Sequence, residues 1–134
     1  MTTTGKCLCG AVQYEIEGEL QMTGVCHCKN CQRQAGSAYS VLFAINNDQL
    51  HITGALTTYG DEGDNGNKVE RHFCGTCGSP IMSTLAVQPG VSYIKAGTLD
   101  DTSILDPKVH FWTDSAQKWV EIADDVMKIA KNPG

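Results

Sequence analysis

The residues of this chain best suited to chemistry are its cysteines, seven of them in three groups: Cys7-Leu-Cys9-Gly, Cys26-His-Cys28-Lys-Asn-Cys31 and Cys74-Gly-Thr-Cys77-Gly. In Cys74-x-x-Cys77-Gly, one tight turn can present both sulfurs while the following amides point at them. The glycine permits the left-handed backbone that such a zinc knuckle needs. Cys7 and Cys9 are expected two apart at the start of a strand, so that both leave one face and fill neighbouring corners of a tetrahedron. Joined to Cys74 and Cys77, they make a four-thiolate structural site that closes a long loop. Cys26, Cys28 and Cys31 then remain as three thiolates around an open corner. Zinc takes part in chemistry through such a corner, because it accepts water or substrate.

The spacing allows two other readings. Cys28 and Cys31 can join Cys74 and Cys77 as an ordinary zinc ribbon, which leaves Cys7, Cys9 and Cys26 as passive thiols. Either Cys-x-x-Cys can also be a redox pair, although that motif belongs at the start of a helix in a βαβ unit, and the sequence shows no such unit.

The rest of the chain must position these groups. Its 134 residues fit one domain, 1–134, and 14 glycines against 4 prolines favour short strands and tight turns over long helices. A net charge of −5, with scattered Lys and Arg, argues against a nucleic-acid partner. No stretch approaches the roughly 18 apolar residues of a membrane span, and the first residues lack an apolar signal core. The expectation is therefore a cytoplasmic protein with no membrane partner, in which reduced cysteines serve as metal ligands. The oligomeric state is not legible.

Val12, Tyr14 and Ile16 alternate with polar residues, the pattern of a half-buried strand. Strands are also expected over 22–26, 39–45, 50–53, 56–59, 69–73, 81–85, 92–96 and 109–112. Those over 39–45 and 50–53 should form a hairpin across Asn46-Asn47-Asp48. A short helix is expected over 29–35, and a second near the C-terminus, capped by Asp124 with Val126, Ile129 and Ala130 inward. The polar segment 61–67 should be an exposed loop.

Gly5-Lys-Cys-Leu-Cys-Gly-Ala-Val, Cys26-His-Cys-Lys-Asn-Cys-Gln-Arg-Gln-Ala-Gly-Ser-Ala-Tyr and Arg71-His-Phe-Cys-Gly-Thr-Cys-Gly-Ser-Pro resemble the glutathione-dependent formaldehyde-activating enzyme family, whose domain also occurs in centromere protein V. His110-Phe-Trp and Lys118-Trp119 are similar to its C-terminal segment. The resemblance implies a mainly β fold of the β-tent kind, with a structural zinc on Cys7, Cys9, Cys74 and Cys77 and a catalytic zinc on Cys26, Cys28 and Cys31. It also implies a carbon–sulfur lyase whose partners are glutathione and formaldehyde.

Chemically, a zinc held by three thiolates can take a substrate thiol as fourth ligand and favour its deprotonation, and the thiolate can then attack an aldehyde carbon. His27, Tyr39 or water can supply the proton the resulting alkoxide needs. Lys29 and Arg33, beside the middle group, can hold a substrate carboxylate or simply face solvent. His51, His72, His110, Trp112 and Trp119 read as structural residues. The rival function is a zinc-stabilised binding module without catalysis.

Overall fold

The computed structural model describes residues 1–63 and 66–131. Its described residues form a mainly β molecule of two sheets. One has the order β1 (Thr2–Lys6), β2 (Gln13–Glu17), β5 (Leu50–Thr53). The other contains β3 (Thr23–Cys26), β4 (Ser40–Asn46), β6 (Leu56–Glu62), β7 (Lys68–Cys74), β8 (Pro80–Leu85), β9 (Val91–Lys95), β10 (Val109–Phe111) and β11 (Met127–Ile129), in the order β11-β10-β3-β4-β9-β8-β7-β6. The α-helix, α1 (Lys29–Ala35), follows β3 directly. Among the described residues no helix is long and apolar enough to cross a membrane.

The core fills the space between the sheets. Tyr14 and Ile16 of β2, Phe43 and Ile45 of β4, Ile81 of β8 and Ile94 of β9 are all buried and belong to one cluster. That cluster also contains Cys7 and Cys74, so the outer cysteine groups are anchored in the core.

Four expectations need correction. The segments 39–45 and 50–53 are strands but not a hairpin: β4 pairs with β3 and β9, whereas β5 pairs with β2 in the other sheet. A 3-10 turn over Asn47–Gln49 redirects the chain, and Gln49 fixes it by accepting from the Asn46 amide and donating to the Glu17 and Glu19 carbonyls. The C-terminal helix is instead β11, which lies parallel to β10 in the register Val109↔Met127. The β-branched Ile129 suits a strand, and the edge of β10 offers hydrogen bonds that an isolated short helix lacks.

Cys7 and Cys9 lie in the turn between β1 and β2 rather than on a strand. Lastly, the acidic segment is only partly loop, because Asp61 and Glu62 complete β6, and Asp61 is half-buried; positions 64 and 65 lie outside the described residues.

The sequence reading also passed over β1. Its inward positions are Thr3 and Gly5, not apolar residues, so no hydrophobic alternation marks it. Gly5 faces Tyr14 across the ladder, and a Cβ there would lie 2.2 Å from the Tyr14 hydroxyl. The bare backbone therefore lets the phenol lie across β1 and donate to Thr98 Oγ1 at 2.7 Å, while Thr98 donates onward to the Lys95 carbonyl.

Burial, with Asp100 nearby, raises the Tyr14 pKa from 10.0 to about 12. The unfolded chain loses that proton near 10, so the tyrosine's contribution is fully present below pH 10 and is lost as pH rises towards 12. Tyr14→Phe should cost about 1 kcal/mol at neutral pH through the lost hydrogen bond, and should flatten the alkaline fall in stability. Denaturant midpoints from pH 7 to 11.5 measure this; an equal alkaline fall in both proteins would contradict it.

Candidate metal centres and the adjoining pocket

The cysteines converge as two groups. The sulfurs of Cys7, Cys9, Cys74 and Cys77 all lie within 4.8 Å of one another, and so do those of Cys26, Cys28 and Cys31. The ribbon grouping of Cys28 and Cys31 with Cys74 and Cys77 is not formed. All seven thiols are free, so neither Cys-x-x-Cys is a disulfide.

Two backbone turns build the four-sulfur group. In the first, the Gly10 amide donates to the Cys7 carbonyl at 3.2 Å and the Val12 amide to Cys7 Sγ at 3.3 Å. In the second, the Gly78 amide donates to the Cys74 carbonyl at 2.8 Å, and the amides of Thr76 and Cys77 approach Cys74 Sγ at 3.4 and 3.5 Å. Gly10 and Gly78 both have φ of +81°, the left-handed backbone that closes each turn. Ser79 joins the two by accepting from the Leu8 amide and contacting Cys77 Sγ at 3.2 Å; that hydroxyl contact and the Ser79 backbone lower the Cys77 pKa to about 5.

This donor set fits zinc. Four thiolates at zinc's usual bond length of about 2.3 Å would have sulfurs about 3.8 Å apart at the corners of a tetrahedron. Cys9 Sγ lies 3.6 Å from Cys7 Sγ and 3.8 Å from Cys74 Sγ.

The three-sulfur group is built differently. Cys26 ends β3, and Cys28 is the N-cap of α1, its sulfur accepting from the Cys31 amide at 3.3 Å. Cys31 lies one turn into the helix and is buried. Gly36, in the left-handed region, stops the helix after two turns. No fourth His, Cys, Asp or Glu joins the group among the described residues.

Mutual proximity makes these thiols titrate as one unit. Cys26 and Cys28 donate to Cys31 and, with Lys95 and Arg71 nearby, hold it down to about 2, while its neighbours push Cys26 far up. Ionising all three requires more positive charge. Arg71 and Lys95 offset two of the three thiolates and Asp61 adds one charge back, a deficit of two that one divalent cation closes.

Beside this group lies a pocket of about 290 Å³, lined by Cys26, Cys28 and Cys31 together with Arg71, Lys95 and a mostly apolar wall. Arg71 and Lys95 are 6% and 7% exposed, yet both line it. Arg71 Nε donates to Asp61 Oδ2 at 2.9 Å, and Lys95 Nζ donates to Ser40 Oγ at 2.6 Å. Asn30 of α1 reaches the same Asp61 oxygen at 3.3 Å, which ties the helix carrying Cys31 to β6. Trp112 also lines the pocket, with φ of 57°, a conformation rare for a bulky residue and typical of constrained functional positions.

The cations proposed from sequence proximity lie elsewhere: Lys29 and Arg33 are exposed and line a separate pocket with Gln32 and Gln117. Sequence reading missed Arg71 and Lys95 because nothing in a strand pattern marks a cation as inward-facing.

His27 and Tyr39 do not line the main pocket either. His27 is fully buried, its Nε2 sharing a 2.8 Å hydrogen bond with His110 Nδ1 and its ring edge-on to Tyr39. Burial and the neighbouring His110 hold its pKa below the ordinary histidine value. His72 is held between Thr58 and Thr84, and His51 faces Glu17 at the surface. Trp119 is 71% exposed.

Comparison with known proteins gives a consistent result. The family described as glutathione-dependent formaldehyde-activating enzyme matches residues 2–115. A Rhodobacter sphaeroides protein of known crystal structure shares the fold with a TM-score of 0.58 and 24% identity, over 78% of this chain and 91% of its own. No curated protein matches the chain significantly.

The Asp61–Arg71 pair carries a prediction. Asp61→Ala leaves a buried guanidinium without its carboxylate and leaves Asn30 only the Glu62 carbonyl, and should cost about 2 kcal/mol in chemical denaturation. An unchanged midpoint would show that Cys31 alone balances Arg71.

Proposed function

The chain belongs to the glutathione-dependent formaldehyde-activating enzyme family, and on that premise we propose that it is a zinc-dependent carbon–sulfur lyase acting on thiol–aldehyde adducts of the S-hydroxymethylglutathione kind. In this reading Cys7, Cys9, Cys74 and Cys77 hold a structural zinc and Cys26, Cys28 and Cys31 a catalytic one, within one domain spanning 1–134. The free thiols suit a reducing, cytoplasmic setting. The supporting observation is an asymmetry: the complete four-sulfur set is anchored in the core, whereas the three-sulfur set opens onto a pocket.

Zinc bound by the three sulfurs would supply a Lewis-acidic position that favours the thiolate form of an incoming thiol. The chain's own residues do the rest. The apolar wall keeps water from the reacting atoms and strengthens every charge interaction at the floor. When the substrate sulfur bonds to the aldehyde carbon, the carbonyl π pair moves to oxygen as an alkoxide. That oxygen then takes up the proton the thiol gave up, and the reverse sequence cleaves the carbon–sulfur bond.

Lys95 faces this oxygen from the pocket. Its ammonium has three N–H donors and uses one on Ser40, which leaves donors for the developing charge. Arg71, turned towards Asp61 and Cys31, holds the floor in place.

Two substitutions separate the roles. Serine at position 28 keeps a good helix cap, so Cys28→Ser should fold normally and lose at least about 100-fold in adduct exchange, followed by NMR with formaldehyde and a series of thiols. Cys74→Ser removes a buried ligand that joins two turns, and should lower the melting temperature by 10 °C or more, on the order of 2–3 kcal/mol. Equal melting of the two variants would overturn the division. Elemental analysis should find two zinc ions in the parent protein and one in Cys28→Ser; a parent value of one would remove the catalytic site.

A further inference from the structure

His27 separates Cys26 from Cys28, and it lies where β3 has ended and α1 has not begun. Neither a ladder nor a helix sets the backbone there, so other bonds must. The His27 amide donates to the Phe111 carbonyl at 3.0 Å, its carbonyl accepts from Gln32 Nε2 at 2.8 Å, and its ring Nε2 shares a 2.8 Å hydrogen bond with His110 Nδ1. Gln32 is buried as well and carries the connection on, donating to the Ser115 carbonyl and accepting from Gln117. His110 is fixed in turn by β10, whose register sets it between Val25 of β3 and Lys128 of β11.

The bond between the two rings has a direction. His27 is fully buried, and its Nδ1 has no hydrogen-bond partner among the described residues. A proton on Nδ1 would be a buried donor with nothing to meet, whereas a bare lone pair is the smaller loss. The proton therefore belongs on Nε2, which donates. His110 Nδ1 accepts, and His110 carries its own proton on Nε2.

We propose that His110 is a positioning residue for the three-cysteine site: its Nδ1 holds the His27 ring, and through that ring the loop that presents Cys26 and Cys28. Neither ring lines the pocket, so the effect passes through the loop and not through contact with substrate. Groups that orient metal ligands in this way commonly change metal affinity when they are removed. The proposal rests on the reading that Cys26, Cys28 and Cys31 hold zinc, and names what keeps the first two in place.

Two measurements test it. In the zinc-loaded protein, long-range nitrogen–proton NMR correlations should show both rings protonated at Nε2, and a proton on His27 Nδ1 would overturn the assignment. Competition with a chromophoric chelator reads zinc affinity at the second site. That affinity should fall at least about tenfold in His110→Leu, which strands the His27 N–H, and stay within about threefold in His110→Asn, whose Oδ1 can accept where Nδ1 does. Both variants should keep the zinc of the four-cysteine site. Unchanged affinity in His110→Leu, or equal losses in the two variants, would overturn the proposal and leave the two-zinc reading standing. A parent protein that holds one zinc ion would remove both. Should His110→Leu fail to fold, His110→Asn and His27→Gln, which keeps a donor at the Nε2 position, carry the test, and loss of the second zinc in either refutes the proposal.

Discussion

Three ionisable sulfurs packed together at the floor of an apolar pocket are a charge problem before they are a site. Thiolates repel one another, and a poorly solvated position magnifies the repulsion. The surroundings of Cys26, Cys28 and Cys31 answer it with cations: Arg71 and Lys95 come from two different strands and are both buried. Each needs its own partner, which explains Asp61 beside Arg71 and Ser40 beside Lys95. The remaining deficit is that of a single divalent ion. The cluster, its counter-charges and the metal it suits therefore form one electrostatic unit.

The four-sulfur group handles the same residue type by other means. Its sulfurs face backbone amides in two glycine-closed turns, along with the Ser79 hydroxyl, and among the described residues no buried side-chain cation serves it. Amides are fixed by the turn itself, so the group is rigid wherever the turns are held, and the core holds them through Cys7 and Cys74. Side-chain cations, in contrast, reach into the pocket and can respond to what enters it. The choice of counter-charge thus distinguishes the two sulfur groups more sharply than the number of sulfurs does.

Much of this was readable in the sequence, for identifiable reasons. Two-residue and three-residue cysteine spacings are local, and local geometry confines each group to one turn. Strands such as β2 advertise themselves because Tyr14 and Ile16 bury while Gln13, Glu15 and Glu17 do not. What failed was long-range. β1 has an inward Thr and Gly whose fitness depends on Tyr14 in the next strand. The sheet switch between β4 and β5 depends on Gln49 reaching carbonyls some 30 residues away. Arg71 and Lys95 look like any strand cations until the fold places the cysteine group beside them, whereas Lys29 and Arg33 owed their apparent candidacy to sequence proximity alone.

The pairing of β10 matters most for how the pocket works. β3 carries Cys26 at its end, and β10 runs parallel beside it in a register that sets Phe111 against Cys26. The His27 amide, inside the cysteine motif, donates to the Phe111 carbonyl at 3.0 Å, and the buried His27 ring bonds to His110 of the same strand. The cysteine loop and one apolar wall of the pocket are therefore cross-linked by backbone and side chain at the same point. A parallel partner requires a long crossover, and here the crossover comprises α1 and β4 to β9, including the strands that deliver Arg71 and Lys95. The cysteine loop, its counter-charges and the Phe111 side of the pocket are consequently held by one set of strand pairings, and each depends on the return of the chain to β3.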